Sequence, residues 1–251
     1  MSQFSRAYLV DGAFPEVEAP RMPTHPRDSA ALPATFEEDG VVLISNFLDP
    51  ATVAELELNV ERYKKWILPA VPADWKRHEA DGTVRGMYYL NRADPYFEAL
   101  GARDDIKGLV ERATGRKLTF AAIETFDKPA KVGSPSLVHQ DGIYFKDTSV
   151  QLINVWIAID DAREENGALA YFRKSHRDGL YPHASIGKDD AFFLSIPPEK
   201  VAHLGTPERA VLPPGGAAIH GSTVVHGSPP NTSPYSRRAL QLCYHADAGR
   251  A

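Results

Sequence analysis

A single cysteine, Cys243, stands among 251 residues, which excludes an intramolecular disulfide. A reducing, cytoplasmic setting is the expectation that follows. Positive charge is in deficit too: 28 Lys and Arg meet 33 Asp and Glu, for a net charge of −5. That balance argues against a nucleic-acid partner, which would favour a basic surface. Long apolar runs are missing, and no stretch approaches the ~20 apolar residues that a membrane span needs. The N-terminus carries Asp11, Glu16 and Glu18 and no basic segment before an apolar run, so no secretory leader is expected. No internal repeat is visible.

What is present is core material. A hydrophobic share of 43% is ordinary for a globular chain and allows a sizeable interior. Residues 1–33 hold Pro15, Pro20, Pro23, Pro26 and Pro33 without periodicity and read as a proline-rich arm, on the surface or partly disordered. Residues 34–251 read as one domain. Thr35–Gly40 has the form of a short helix closed by glycine, and Val41–Ile44 that of a buried strand. Asp49-Pro50 supplies a cap and a first-turn proline, after which Val53, Leu56, Val60, Tyr63 and Ile67 recur at helical spacing. Residues 68–84 read as a loop, Tyr88–Leu90 as a strand and 95–114 as helical. Beyond Leu118 strands dominate, at 118–126, 137–141, 149–159, 168–172, 210–212, 216–226 and 237–245. Helices first and many short strands after them imply a mixed α+β, β-rich domain. Its core would be jelly-roll-like, flanked by the N-terminal helices.

One constellation carries chemistry. His139-Gln140-Asp141 is an H-x-D triplet, with His226 and Arg237 far downstream. Two imidazoles and one carboxylate form the facial triad that suits non-haem Fe(II) and leaves positions open for co-substrate and oxygen. On a strand, residues two apart share a face, so His139 and Asp141 can reach one ion from one short strand. His226 must arrive from a distant strand, which a double-sheet barrel supplies. Arg237 offers paired donors that match the far carboxylate of an organic acid on that iron. Two alternatives use the same residues: a zinc hydrolase of cupin type, or plain core histidines satisfied by hydrogen bonds.

The segment His139-Gln140-Asp141-Gly142-Ile143-Tyr144-Phe145 is similar to the HQDxxYF signature of the phytanoyl-CoA dioxygenase family. His226-Gly227-Ser228-Pro229-Pro230-Asn231-Thr232-Ser233, leading to Arg237, resembles that family's distal histidine segment. Glu165-Asn166-Gly167-Ala168-Leu169 and Lys128-Pro129 resemble two further stretches. The likeness runs from about residue 36 to 245. It implies a double-stranded β-helix (jelly-roll, cupin-like), Fe(II), and 2-oxoglutarate and O2 as co-substrates. It also implies decarboxylation to succinate, coupled to removal of hydrogen from a substrate carbon. By the same resemblance His139, Asp141 and His226 are the metal ligands. Arg237 and Ser228 hold the far carboxylate of 2-oxoglutarate, and Trp156 lies beside it. Two departures bear on loop geometry: Gly215-Gly216 replaces the usual Gly-Asp, and Arg173-Lys174-Ser175-His176 replaces the usual PGSH. No basic cluster marks a coenzyme A site, so the acyl-CoA substrate does not carry over.

Parity sorts the remaining residues. Asn154 shares the face of Trp156, while Ile153, Val155 and Ile157 take the other; Arg238 opposes Arg237. Glu124 shares its face with Ala122 and Phe126. Inside the barrel it would be a buried carboxylate needing a partner, either a polar substrate or Arg85; at the rim it would be solvated. His220 would face the same way as His226, as a substrate contact, a proton carrier or a satisfied core histidine. Tyr88, Tyr144 and Phe145 are pocket walls or core aromatics. The expected activity is hydroxylation of an unactivated carbon of a small molecule, such as a secondary-metabolite intermediate. A desaturase, epoxidase or ring-forming oxidase would use the same iron site. A catalytically silent binding protein of this fold is the alternative from another class. Nothing in the sequence marks an oligomeric state.

Overall fold

The computed structural model describes residues 19–144, 151–185 and 194–247. Strand β1 (Thr24–His25) runs parallel to β2 (Val41–Ile44), with helix α1 (Leu32–Asp39) between them in sequence. Gly40 ends α1 at φ +77, and a Cβ there would lie 2.5 Å from the His176 ring. Two demands, the left-handed cap and the close approach, thus select glycine. Helix α2 (Pro50–Trp66) begins where Asp49 accepts from the Thr52 amide at 2.9 Å, a cap worth about 0.5–2 kcal/mol.

A hairpin of β3 (Lys76–His78) and β4 (Val84–Met87) lies where a loop was expected. Short helix α3 (Leu90–Ala93), then α4 (Pro95–Gly101) and α5 (Asp104–Thr114), complete the helical part. The expected strand at Tyr88–Leu90 is absent: β4 ends at Met87, and Tyr89 turns the chain at φ +58. Its aromatic content packs a corner, with Trp75 edge-on to Tyr89 and the Arg92 guanidinium 4.4 Å from the Tyr89 ring centre.

The strand-rich part contains β5 (Leu118–Phe126), β6 (Ser136–His139) and β7 (Gln151–Ala158). After these come β8 (Ala170–Tyr171), β9 (Ala184–Ser185), β10 (Leu194–Ser195) and β11 (Glu208–Arg209). The last are β12 (Ala217–Gly221), β13 (His226–Ser228) and β14 (Ala239–Ala246). An eight-stranded sheet runs β1-β2-β12-β7-β14-β5-β4-β3, and a four-stranded sheet runs β11-β8-β13-β6. Together they are a double-stranded β-helix.

Alternation along the large sheet builds two cores. Ile153, Val155, Ile157, Ile219, Leu240 and Leu242 point outward against Leu56, Val60, Phe97 and Leu109 of the helices. Trp156, Ala158, Ala218 and Leu43 point inward, toward Tyr171 of the small sheet and Leu169 just before it. Each large side chain so buried contributes about 1.5–3 kcal/mol. Helices therefore cover one face of the large sheet, and the other face is left for the barrel interior.

The 216–226 stretch, expected as one strand, is two. β12 belongs to the large sheet and β13 to the small one, with a turn closed by Val224 N–H on Gly221 O. The second half of the proline-rich segment is also built in. Met22 N–H bonds Arg209 O, and Ala19, Met22 and Leu32 are buried. The two loop departures have local explanations. A Cβ on Gly216, which stands where Asp is usual, would meet Pro213 O at 3.0 Å, and Lys174 takes φ +69 where glycine is usual.

Candidate metal centre

Each ligand-type side chain has its far atom fixed by the backbone. The β6 residue His139 places Nδ1 2.7 Å from Leu137 O, and His226 at the start of β13 places Nδ1 3.1 Å from Val224 O. Both Nε2 atoms are thereby turned inward. β13 pairs with β6 so that His226 and His139 are direct partners, and their ring centres lie 4.4 Å apart. Asp141 does not share the strand of His139, as the sequence implied. β6 ends at His139, and Asp141 opens the helical turn Asp141–Tyr144. That turn still brings Oδ1 to 3.3 Å from His139 Nε2 and 3.7 Å from His226 Nε2. One atom from each residue lies within 4.8 Å of the others, a spacing one ion can bridge.

The second oxygen of Asp141 is held from behind. Asn154 Nδ2 donates to Oδ2 at 2.5 Å, and His220 Nε2 lies 3.1 Å from it. His220 Nδ1 in turn meets the Tyr171 hydroxyl at 3.0 Å, and Tyr171 stacks on His226. His220 is therefore a satisfied core histidine, with both ring nitrogens engaged, one of them on Asp141. Outer partners of this kind fix a ligand's rotamer and raise its basicity. Burial alone would push the Asp141 carboxyl up. Electrostatic coupling to the His226 ring and hydrogen bonds from His139 and His220 outweigh it and hold it well below the usual range. Burial drives His226 down to about 3, which leaves it neutral. A carboxylate and a neutral imidazole are the states a metal binds.

Further along the cavity lies Arg237, 2% exposed, with its guanidinium 5.1 Å from the Trp156 ring centre. Nη1 donates to Phe126 O at 2.7 Å, while Arg237 Nε and the fully buried Ser228 hydroxyl have no hydrogen-bond partner among the described residues. Two unpaired polar groups beside a buried cation are costly unless a ligand satisfies them. A dianionic 2-oxo acid supplies what they lack, so the residues fit both iron and 2-oxoglutarate. Arg238 turns outward to Asp160, Glu57 and Glu61.

The cavity holds about 450 Å³ and includes Glu124, Tyr88, Tyr144, Asn154, Arg85 and Arg237. Arg85 donates to Pro135 O and stands 4.0 Å from Glu79, so it is not the partner of Glu124. Phe145 lies outside the described residues. Gln241 and Cys243 also line the cavity and were not anticipated. Parity could have found them, since they follow Arg237 at even spacing along the extended segment that the sequence marks as a strand. Gln140, inside the H-x-D triplet, is fully buried and bonds Gly179 O, Thr223 O and the Tyr181 amide.

Fold and site together define a non-haem Fe(II)- and 2-oxoglutarate-dependent dioxygenase. The chain belongs to the phytanoyl-CoA dioxygenase (PhyH) family, whose sequence profile matches residues 36–239. It is 27% identical over 221 residues to the "Probable alpha-ketoglutarate-dependent hypophosphite dioxygenase" of Stutzerimonas stutzeri, covering 84% of this chain and 76% of that one. Among solved structures, EctD from S. alaskensis with 2-oxoglutarate and 5-hydroxyectoine superposes with a TM-score of 0.73. It is 19% identical, over 95% of this chain and 84% of that chain. AviO1 from Streptomyces viridochromogenes Tue57 superposes with a TM-score of 0.70 at 23% identity, over 91% of this chain and 99% of that chain. At these identities the structural likeness is one of fold. No helix among the described residues is long and apolar enough to cross a membrane.

Proposed function

We propose that this dioxygenase hydroxylates an unactivated carbon of a small molecule, with His139, Asp141 and His226 as its iron ligands. The observation that carries the assignment is the convergence of two Nε2 atoms and Asp141 Oδ1, each with its opposite atom already engaged. Bound iron and 2-oxoglutarate supply the oxidising power that removes hydrogen from an unreactive carbon. The chain does the rest. Arg237 and Ser228 grip the far carboxylate and so set the direction of the 2-oxo acid. Trp156 and Phe126 shield that end from water. Asn154 and His220 keep Asp141 Oδ1 pointed at the ion. Relatives bearing the names of hypophosphite and ectoine dioxygenases support a compact substrate.

Asp141 fills the third protein position, so a halide has no vacated carboxylate site beside the iron. Incubation with Fe(II), 2-oxoglutarate, O2 and a metabolite mixture should yield succinate and a product heavier by one oxygen atom. No chlorinated product should form in high chloride. Loss of two hydrogens instead would favour a desaturase or ring-forming oxidase. A chlorinated product would remove Asp141 from the ligand set, and absence of succinate would leave only a binding role.

The back-side contacts give a second test. Asn154→Ala frees Asp141 Oδ2 from its 2.5 Å donor. Fe(II) affinity should fall about ten- to a hundredfold, the usual effect of losing an outer partner. An anaerobic Fe(II) titration reads it, and unchanged affinity would show that Asn154 does not orient the ligand.

A further inference from the structure

The inward rows of the large sheet place Glu124 in an unusual setting. Glu124 on β5 is the direct register partner of Gln241 on β14, and Gln241 is the partner of Trp156 on β7. The next row runs Ala122, Cys243, Asn154 and His220. Glu124 thus stands on the cavity wall one row from the residues that hold Asp141. Among the described residues its carboxylate has neither a hydrogen bond nor an ion pair. Asn154 Oδ1, on the same cavity, has no donor either.

Three of the cavity's cations bond elsewhere, and the oxygenase reading reserves the fourth, Arg237, for the 2-oxo acid. Arg85 serves Pro135 O and Glu79, Lys128 donates to Ser134 O, and Arg77 bonds the Tyr88 hydroxyl. Burial and then the Asp141 charge push the Glu124 carboxyl up to about 7, and no cation acts against them. Iron does not cancel this charge. A divalent ion carrying one carboxylate and a dianionic 2-oxo acid is itself a net anion. A half-buried carboxylate that lines a cavity without a partner calls for a donor, and a positively charged donor satisfies it best.

We propose that the cavity takes a small molecule bearing a cationic nitrogen, held by the Glu124 carboxylate beside the metal position. The assignment rests on the oxygenase reading and names its substrate class. An ammonium on Glu124 would fix the neighbouring carbon skeleton against the iron, leaving one or two C–H bonds within reach. Glu124 would then decide which position is oxidised as well as which molecules enter.

The test uses three probes of similar size on the full chain: cyclohexylammonium, cyclohexanol and cyclohexanecarboxylate. Calorimetry is run anaerobically with Fe(II) and 2-oxoglutarate, and again on the metal-free protein, at about pH 8, where an alkylamine remains charged. Cyclohexylammonium should bind about tenfold or more tighter than cyclohexanol, equivalent to ~1.4 kcal/mol. Glu124→Gln, equal in size, should erase that advantage and leave 2-oxoglutarate affinity unchanged. The proposal is overturned if cyclohexanol or cyclohexanecarboxylate binds the wild type as tightly as the ammonium. It is equally overturned if the ammonium does not bind, or if Glu124→Gln keeps the preference. The visible band of the Fe(II)–2-oxoglutarate complex, recorded on the same samples, reports separately on the oxygenase reading.

Discussion

His226→Ala should eliminate 2-oxoglutarate turnover and leave the fold standing. The substitution removes one of three protein atoms within reach of a single ion, and the two that remain, His139 Nε2 and Asp141 Oδ1, do not define a facial set. A metal's contribution of several kcal/mol, at ~1.4 kcal/mol per decade, makes the loss about a thousandfold or more. Structural damage is local by comparison. The ring is buried against His139, His220 and Tyr171, and its departure strands only the Val224 carbonyl. One unsatisfied carbonyl costs about 1–3 kcal/mol against a typical stability of 5–15. Circular dichroism and thermal melting should therefore show a folded, somewhat less stable protein. His139→Ala should behave alike, with less destabilisation because His139 is less deeply buried. Full succinate production by either variant would dissolve the triad.

The candidate ligand set was legible because it depends on residue type and order, which a sequence states directly. The route to it was not. Asp141 reaches the ion from a helical turn, since Gly142 N–H bonds Ser222 O and draws the chain out of β6. His220 and His226 come together although they lie on strands of different sheets, so six-residue alternation on one strand gave the right neighbours by the wrong path. Inward and outward faces of β7 were readable from alternation, because one side meets helices and the other meets the small sheet. Tyr88–Leu90 misled for the opposite reason. Aromatic content signals packing as readily as strand, and only the left-handed backbone at Tyr89, invisible in the sequence, makes that segment a corner. The Tyr171 hydroxyl behind His220 carried no sequence signal at all, being a contact between two strands distant in the chain.

Arg237 and Arg238 are adjacent in sequence and should give opposite phenotypes. Arg237 is buried on the cavity side, and burial lowers its guanidinium to about 10, offset in part by Asp127 and Asp160. A cation held at that cost, with Nε unpaired, is kept ready for an anion. Arg237→Ala deletes a charge-assisted pair worth about 1.5–3 kcal/mol. The 2-oxoglutarate affinity should then fall about ten- to a hundredfold in an anaerobic Fe(II) titration. Arg237→Lys should recover part of the loss, because it restores the charge without the planar fork. Arg238 instead bonds Asp160, just after β7, at 2.7 Å and ties this end of the sheet to α2 through Glu57 at 2.6 Å and Glu61 at 3.2 Å. Arg238→Ala should lower the melting temperature and leave 2-oxoglutarate affinity nearly unchanged. The contrast is sharp because a one-residue shift of β14 would exchange the two roles. A weakened co-substrate affinity in Arg238→Ala, with Arg237→Ala unaffected, would mean that Gln241 and Cys243 of β14 also face the other way, away from the cavity that Glu124 of β5 lines.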